Sequence, residues 1–236
     1  SVLFAQELQV LSAKPRPRTV SAPVETTVQV RFDRPVDPAS VTAASFRVFG
    51  RWSGPASGAL VVSPDGTRVT LTPSSPFFAG ETVLVELPEL LVADDGSELQ
   101  PGGYAFQFWT APSKPGLEMT ELDVMTTRAT PREETRAYGG VASDVDHDGY
   151  PDLTIVNEVT DDLRIFLNRG DGSALFHPYL EPPEAAGATP SPIEPGDFDG
   201  DGTTDVAVAN TQGDSLSVLL GNGDDTFQPQ RVIPVG

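Results

Sequence analysis

Residues 144–152 read DVDHDGYPD and residues 197–205 read DFDGDGTTD. Each stretch carries aspartate at positions 1, 3, 5 and 9 and glycine at position 6, and the two lie 53 residues apart. Acids this dense either stand as a solvated turn or hold a cation. The likeness runs outward from the loops. Each is followed by an apolar stretch ending in Asn157 or Asn210, then by LRIFL (163–167) or LSVLL (216–220), then by Gly170-Asp171 or Gly223-Asp224. Phe176 answers Phe227 after two extra residues in the first copy. A unit of this size cannot bury both faces of a small sheet alone, so copies must stack, and a period near 50 with several short strands predicts β-propeller-type blades.

The doubled D-x-D-x-D-G-x-x-D motif, with the flanking LRIFLNRGDG and LSVLLGNGDDTF, resembles the FG-GAP/VCBS repeats of integrin α-subunit propellers and of many bacterial exported proteins. The resemblance covers roughly residues 135–236 and implies two repeats, about 135–182 and 183–236. It also implies that any bound ion is structural, set in a loop between blade strands.

The spacing suits calcium, a hard cation that takes six to eight oxygens. Positions 1, 3 and 5 point inward together, glycine at 6 permits the sharp turn, position 7 offers its carbonyl and the acid at 9 closes the shell. One ion is thus expected on Asp144, Asp146, Asp148, the Tyr150 carbonyl and Asp152. A second is expected on Asp197, Asp199, Asp201, the Thr203 carbonyl and Asp205. Two Ca²⁺ would move the formal charge from −19 to −15. Magnesium fits less well, since it keeps its waters.

The acid is concentrated in this half. Residues 1–112 carry 11 acidic and 8 basic side chains, whereas 113–236 carry 23 and 7. The first half shows alternating runs separated by turns: TTVQVRF, SFRVFG, ALVVS, TRVTLTP, ETVLVEL and YAFQFWT. That pattern predicts an antiparallel sandwich with Phe32, Phe46, Phe106 and Phe108 in its core and a hairpin at Asp65-Gly66. The phrases VRFDRPVDPASVTAASFRV and SPDGTRVTLTPSSPFFAGETVLVEL resemble the Ig-like domain of bacterial S-layer (SbsA-type) proteins, although Val83 or Leu84 stands where an aromatic is usual.

The expected fold is therefore all-β: an Ig-like sandwich over 8–111, a linker over 112–134 that supplies an outer strand, and a partial propeller of two blades over 135–236. Residues 1–7 read as a leader remnant or tag, with SVLFA resembling the end of a secretory signal peptide cleaved after Ala5. No apolar run is long enough to span a bilayer. The strong negative charge disfavours nucleic acid and anionic membranes. Zero cysteine excludes disulfides and thiolate metal sites.

Catalytic signals dissolve on alignment of the repeats. Gly213-Asp214-Ser215-Leu216 spells an esterase nucleophile block but occupies the slot of Thr160-Asp161-Asp162-Leu163, and no histidine follows it. Arg169-Gly170-Asp171 spells an adhesion tripeptide but aligns with Asn222-Gly223-Asp224, a turn. His147 and His177, the only histidines, form no zinc site or acid–base pair. The expected function is non-enzymatic: a secreted or cell-surface bacterial module for adhesion or extracellular recognition of a protein or glycan, self-associating through its unpaired blades. The competing reading is an accessory region of a larger secreted enzyme, such as one that degrades polysaccharide.

Overall fold

Along Val28-Gln29-Val30-Arg31-Phe32 the valines and the phenylalanine are buried and the polar side chains face outward. A pleated strand with one solvated face imposes this period of two. Such segments dominate the computed structural model, which describes residues 7–114 and 121–235. The expected leader remnant falls outside the described residues apart from Glu7, as do residues 115–120. The chain divides into two compact units.

Residues 7–114 form β1 (Val10–Lys14), β2 (Val28–Phe32), β3 (Arg47–Gly50), β4 (Gly54–Pro55), β5 (Gly58–Val62), β6 (Arg68–Pro73), β7 (Thr82–Leu87) and β8 (Tyr104–Trp109). They form two four-stranded sheets, β1-β2-β6-β5 and β4-β3-β7-β8, which share one apolar core. All six alternating runs named above are strands. Phe32, Phe46, Phe106 and Phe108 are buried, and Phe77 meets Phe108 edge to face at 6.2 Å. Between β5 and β6 the Asp65-Gly66 hairpin forms as expected, with Gly66 at φ 71° and Asp65 accepting from the Thr67 amide.

The second unit holds β9 (Ala137–Ser143), β10 (Asp152–Asn157), β11 (Asp162–Phe166) and β12 (Glu184–Ala185), then β13 (Pro190–Gly196), β14 (Asp205–Asn210), β15 (Ser215–Leu219) and β16 (Arg231–Pro234). Each set is an antiparallel four-stranded meander, in the orders β12-β11-β10-β9 and β13-β14-β15-β16. The repeat is visible in register: Asn157 opposes Asp162 and Asn210 opposes Ser215, while Asn168 bridges Phe176 and Gly221 bridges Phe227.

One expectation is corrected here. The outer strand of the first repeat comes from β12, and the described residues of the 112–134 linker (112–114 and 121–134) form no strand. LFHPYL (175–180) runs beside β11, with His177 and Leu180 donating to Leu167 and Ile165. Pro178 lacks an N–H and breaks the ladder there, so the regular outer strand is displaced past Pro182-Pro183 to Glu184–Ala185. The first sheet thereby extends beyond the expected boundary at 182.

The two repeat sheets share a core, and they contribute opposite faces to it. The first sheet buries Val156, Leu163 and Ile165; the second buries Val206, Val208 and Leu219. With the 53-residue offset, the positions equivalent to the first set are Ala209, Leu216 and Val218, which lie on the other side of the second sheet and are only half-buried. The packing is thus head-to-tail, a heterologous contact that does not close on itself. Behind the first sheet, the segment 121–136 covers the face that carries Arg164 and Phe166.

Candidate metal centre

Each acidic loop joins two strands of a meander: 144–151 links β9 to β10, and 197–204 links β13 to β14. The loops curl because two positions adopt left-handed backbone. Position 6 does so in both, at Gly149 (φ 88°) and Gly202 (φ 90°). Position 4 does so as Gly200 (φ 77°) in one loop and as His147 (φ 63°) in the other, a conformation that side chains other than glycine disfavour. The Asp148 amide donates to Asp146 Oδ1 and the Tyr150 amide to Asp148 Oδ1, so the first loop is held by its own carboxylates. The acid at position 9 ties each loop to its sheet. Asp152 accepts from the amides of Val145 and Asn168 at 2.9 and 2.8 Å, and Asp205 from those of Phe198 and Gly221 at 2.6 and 2.8 Å. The two loops also touch: the buried Thr204 hydroxyl donates to the Asp144 carbonyl at 2.7 Å.

In the first loop, carboxylate oxygens of Asp144, Asp146 and Asp148 lie within 4.8 Å of one another. In the second, those of Asp197, Asp199 and Asp205 do the same. Asp152 and Asp201 stand outside these two clusters, so the loops gather different subsets of the expected ligands. Tyr150 is exposed, and the Thr203 hydroxyl donates to the Gly221 carbonyl. Asp144 Oδ2 accepts from the Gly149 amide, while its buried Oδ1 has no partner.

Burial first, and the neighbouring aspartates after it, push Asp144 up to about 6, Asp152 to about 7 and Asp205 to about 6. Asp225, on the turn of the second repeat, is also raised, by burial, by Asp224 and by Asp146 of the first loop. Sequence spacing did not single out Asp225. A divalent cation fits this chemistry: it would neutralise carboxylates that the fold has drawn together and give Asp144 Oδ1 a partner.

A second cluster was not foreseen. Arg164, fully buried, grips Glu133 with both terminal nitrogens at 2.8 and 3.1 Å and Asp162 through Nε and Nη2 at 3.1 and 3.0 Å. It also donates to the Thr127 carbonyl and lies 4.9 Å from the centre of the Tyr179 ring. Its guanidinium holds Glu133 down at about 2. The available signal was a departure from the repeat, since Ser217 occupies the equivalent position. Ser215 of the GDSL stretch is buried and accepts from Asn210 Nδ2 at 3.0 Å, a strand-pairing role. Gly170-Asp171 forms a turn in which Asp171 accepts from the Ser173 amide.

Residues 5–110 match the bacterial Ig-like domain, and residues 144–208 match the FG-GAP-like repeat. The chain therefore resembles both families recognised in its motifs, in the order read from the sequence. Among solved structures it is similar to the N-terminal part of the bacterial S-layer protein SbsC, at 16% identity and a TM-score of 0.36, covering 98% of this chain and 45% of that one. CopC from Methylosinus trichosporium OB3b matches at 16% identity and 0.36, over 46% of this chain and 98% of its own. An L,D-transpeptidase from Mycobacterium smegmatis matches at 15% and 0.31, over 94% and 79%. The chain spans less than half the length of the S-layer fragment. No curated protein sequence matches it. No helix among the described residues is long and apolar enough to cross a membrane.

Proposed function

We propose that this chain is a non-enzymatic recognition module exported to a bacterial surface, in which an Ig-like domain precedes two propeller-type blades whose loops each hold one structural Ca²⁺. The observation that carries the reading is the buried, unpartnered Oδ1 of Asp144 beside Asp146 and Asp148, together with a second gathering of carboxylates, those of Asp197, Asp199 and Asp205, in the equivalent loop. Calcium completes its shell from the remaining oxygens of each loop: Asp152 and the Tyr150 carbonyl in one, Asp201 and the Thr203 carbonyl in the other. Such a shell fixes a loop and leaves no position for a substrate. The match to a bacterial Ig-like domain supports a surface or extracellular setting.

Thermal unfolding with added Ca²⁺, Mg²⁺ or EDTA tests this. The expected result is a rise in midpoint specific to Ca²⁺, reduced in part by Asp146→Ala or Asp199→Ala and abolished by the pair. A midpoint indifferent to Ca²⁺ contradicts it.

A further inference from the structure

We propose that the outer face of the second repeat sheet is the interface of a twofold dimer, covered by the same face of a second copy of this chain. The inference goes beyond the proposed function, and calcium does not enter the argument. In the first repeat, Val141, Val145, Val156, Leu163 and Ile165 are buried in the core that the two sheets share. The 53-residue offset carries them to Glu194, Phe198, Ala209, Leu216 and Val218. None of these five is buried: Phe198 is 50% exposed, Glu194 is exposed, and the other three are half-buried. Ile233, paired with Leu216 across the sheet, is 47% exposed. The Phe198 ring lies over Gly196, so close that a Cβ there would meet it at 2.6 Å, and Gly196 alternates with Glu194 onto this face. An apolar centre with a presented aromatic and a charged border has the anatomy of a protein interface.

Charge says what covers it. Glu194, Ala207, Val218 and Arg231 are cross-strand neighbours in one row, so the face carries a carboxylate on its β13 edge and a guanidinium on its β16 edge. A twofold axis parallel to the strands, between two facing copies, sets the β13 edge of one over the β16 edge of the other. Glu194 of each copy then faces Arg231 of the other, and the surface is complementary to itself. Arg231 is exposed and enters no ion pair among the described residues. Glu194 pairs with Arg51 at 2.8 Å, both side chains being about half-exposed; a carboxylate has about four acceptor positions and can bridge two guanidinium groups.

The other end of the stack excludes a head-to-tail partner. Repeating the internal contact would seat this face on the Arg164 and Phe166 face of another copy's first sheet, which segment 121–136 occupies through Thr127 and Glu133. Glu194 also stands where that contact needs an apolar residue, since its counterpart Val141 is buried in the core. The twofold pairing meets neither obstacle and closes after two copies.

The test is sedimentation equilibrium of the full chain in Ca²⁺-containing buffer, on the wild type, Arg231→Glu, Glu194→Arg and the double charge reversal. The wild type is expected to pass from monomer to dimer and no further. Each single reversal sets like charges opposite each other twice per dimer and is expected to weaken it about tenfold or more. The double reversal restores the pairing. An equimolar mixture of the two single variants is expected to form a heterodimer tighter than either homodimer, because both of its contacts then join opposite charges. Recovery in the double variant and in the mixture separates a lost contact from a disturbed fold. A wild type that stays monomeric, oligomers beyond the dimer, single variants that dimerise like the wild type, or failure of the double variant and the mixture to recover overturns the proposal.

Discussion

At Gly149 the backbone sits at φ 88° with open space around the missing side chain, so Gly149→Ala meets only the left-handed backbone penalty. That predicts a loss of about 1–2 kcal/mol in chemical denaturation. His147 bears the same kind of strain one turn earlier, and His147→Gly should be neutral or stabilising by about 1 kcal/mol at most. Arg164 is the opposite case, where chemistry outweighs geometry. Arg164→Ala leaves Glu133 and Asp162 facing each other with their shared cation gone, so a lower unfolding midpoint is expected. A midpoint close to wild type in Arg164→Ala would mean that segment 121–136 contributes little to the stability of the second unit.

The loops are the elements where pH and metal meet. Asp144, Asp152 and Asp205 titrate at about 6, 7 and 6 in the metal-free fold, above the value near 4 of an unfolded chain. A raised carboxyl keeps its proton in the fold after the unfolded chain has released it. The stability these groups contribute is therefore full below about pH 4 and falls as pH climbs to about 7. Calcium competes with those protons, so the Ca²⁺-induced rise in midpoint should be larger at pH 8 than at pH 5. Asp144→Asn should raise the metal-free midpoint at pH 8 while weakening the Ca²⁺ response; a fall in the metal-free midpoint would contradict the burial argument. These loops were legible because four acids and a glycine recur at a fixed offset, and the sandwich was legible because its strands alternate cleanly. The outer strand was not. LFHPYL carries strand-like residues, and only the position of Pro178 within the ladder decides that pairing resumes at Glu184. Asp225 and Glu133 were hidden for a different reason, since each meets its partner across a distance that no local spacing reports.

At the scale of the molecule, head-to-tail stacking of the repeats has a direct consequence. The face that the first sheet buries through Leu163 and Ile165 is presented by the second sheet through Leu216 and Val218, half-buried and beside Ile233 of β16, which is 47% exposed. Apolar faces of this kind attract another sheet, so self-association at high protein concentration is expected. Sedimentation should show it, and Leu216→Lys should abolish it with little change in the unfolding midpoint; a wild type monomeric at all concentrations would argue against it. The proposed function depends on the ions. Its most direct test is equilibrium Ca²⁺ binding by calorimetry on the metal-free protein at neutral pH, with bound metal counted independently by elemental analysis. Two calcium ions per chain, falling to one in Asp146→Ala and to one in Asp199→Ala, is the predicted result; no saturable Ca²⁺ binding in a folded protein would contradict it.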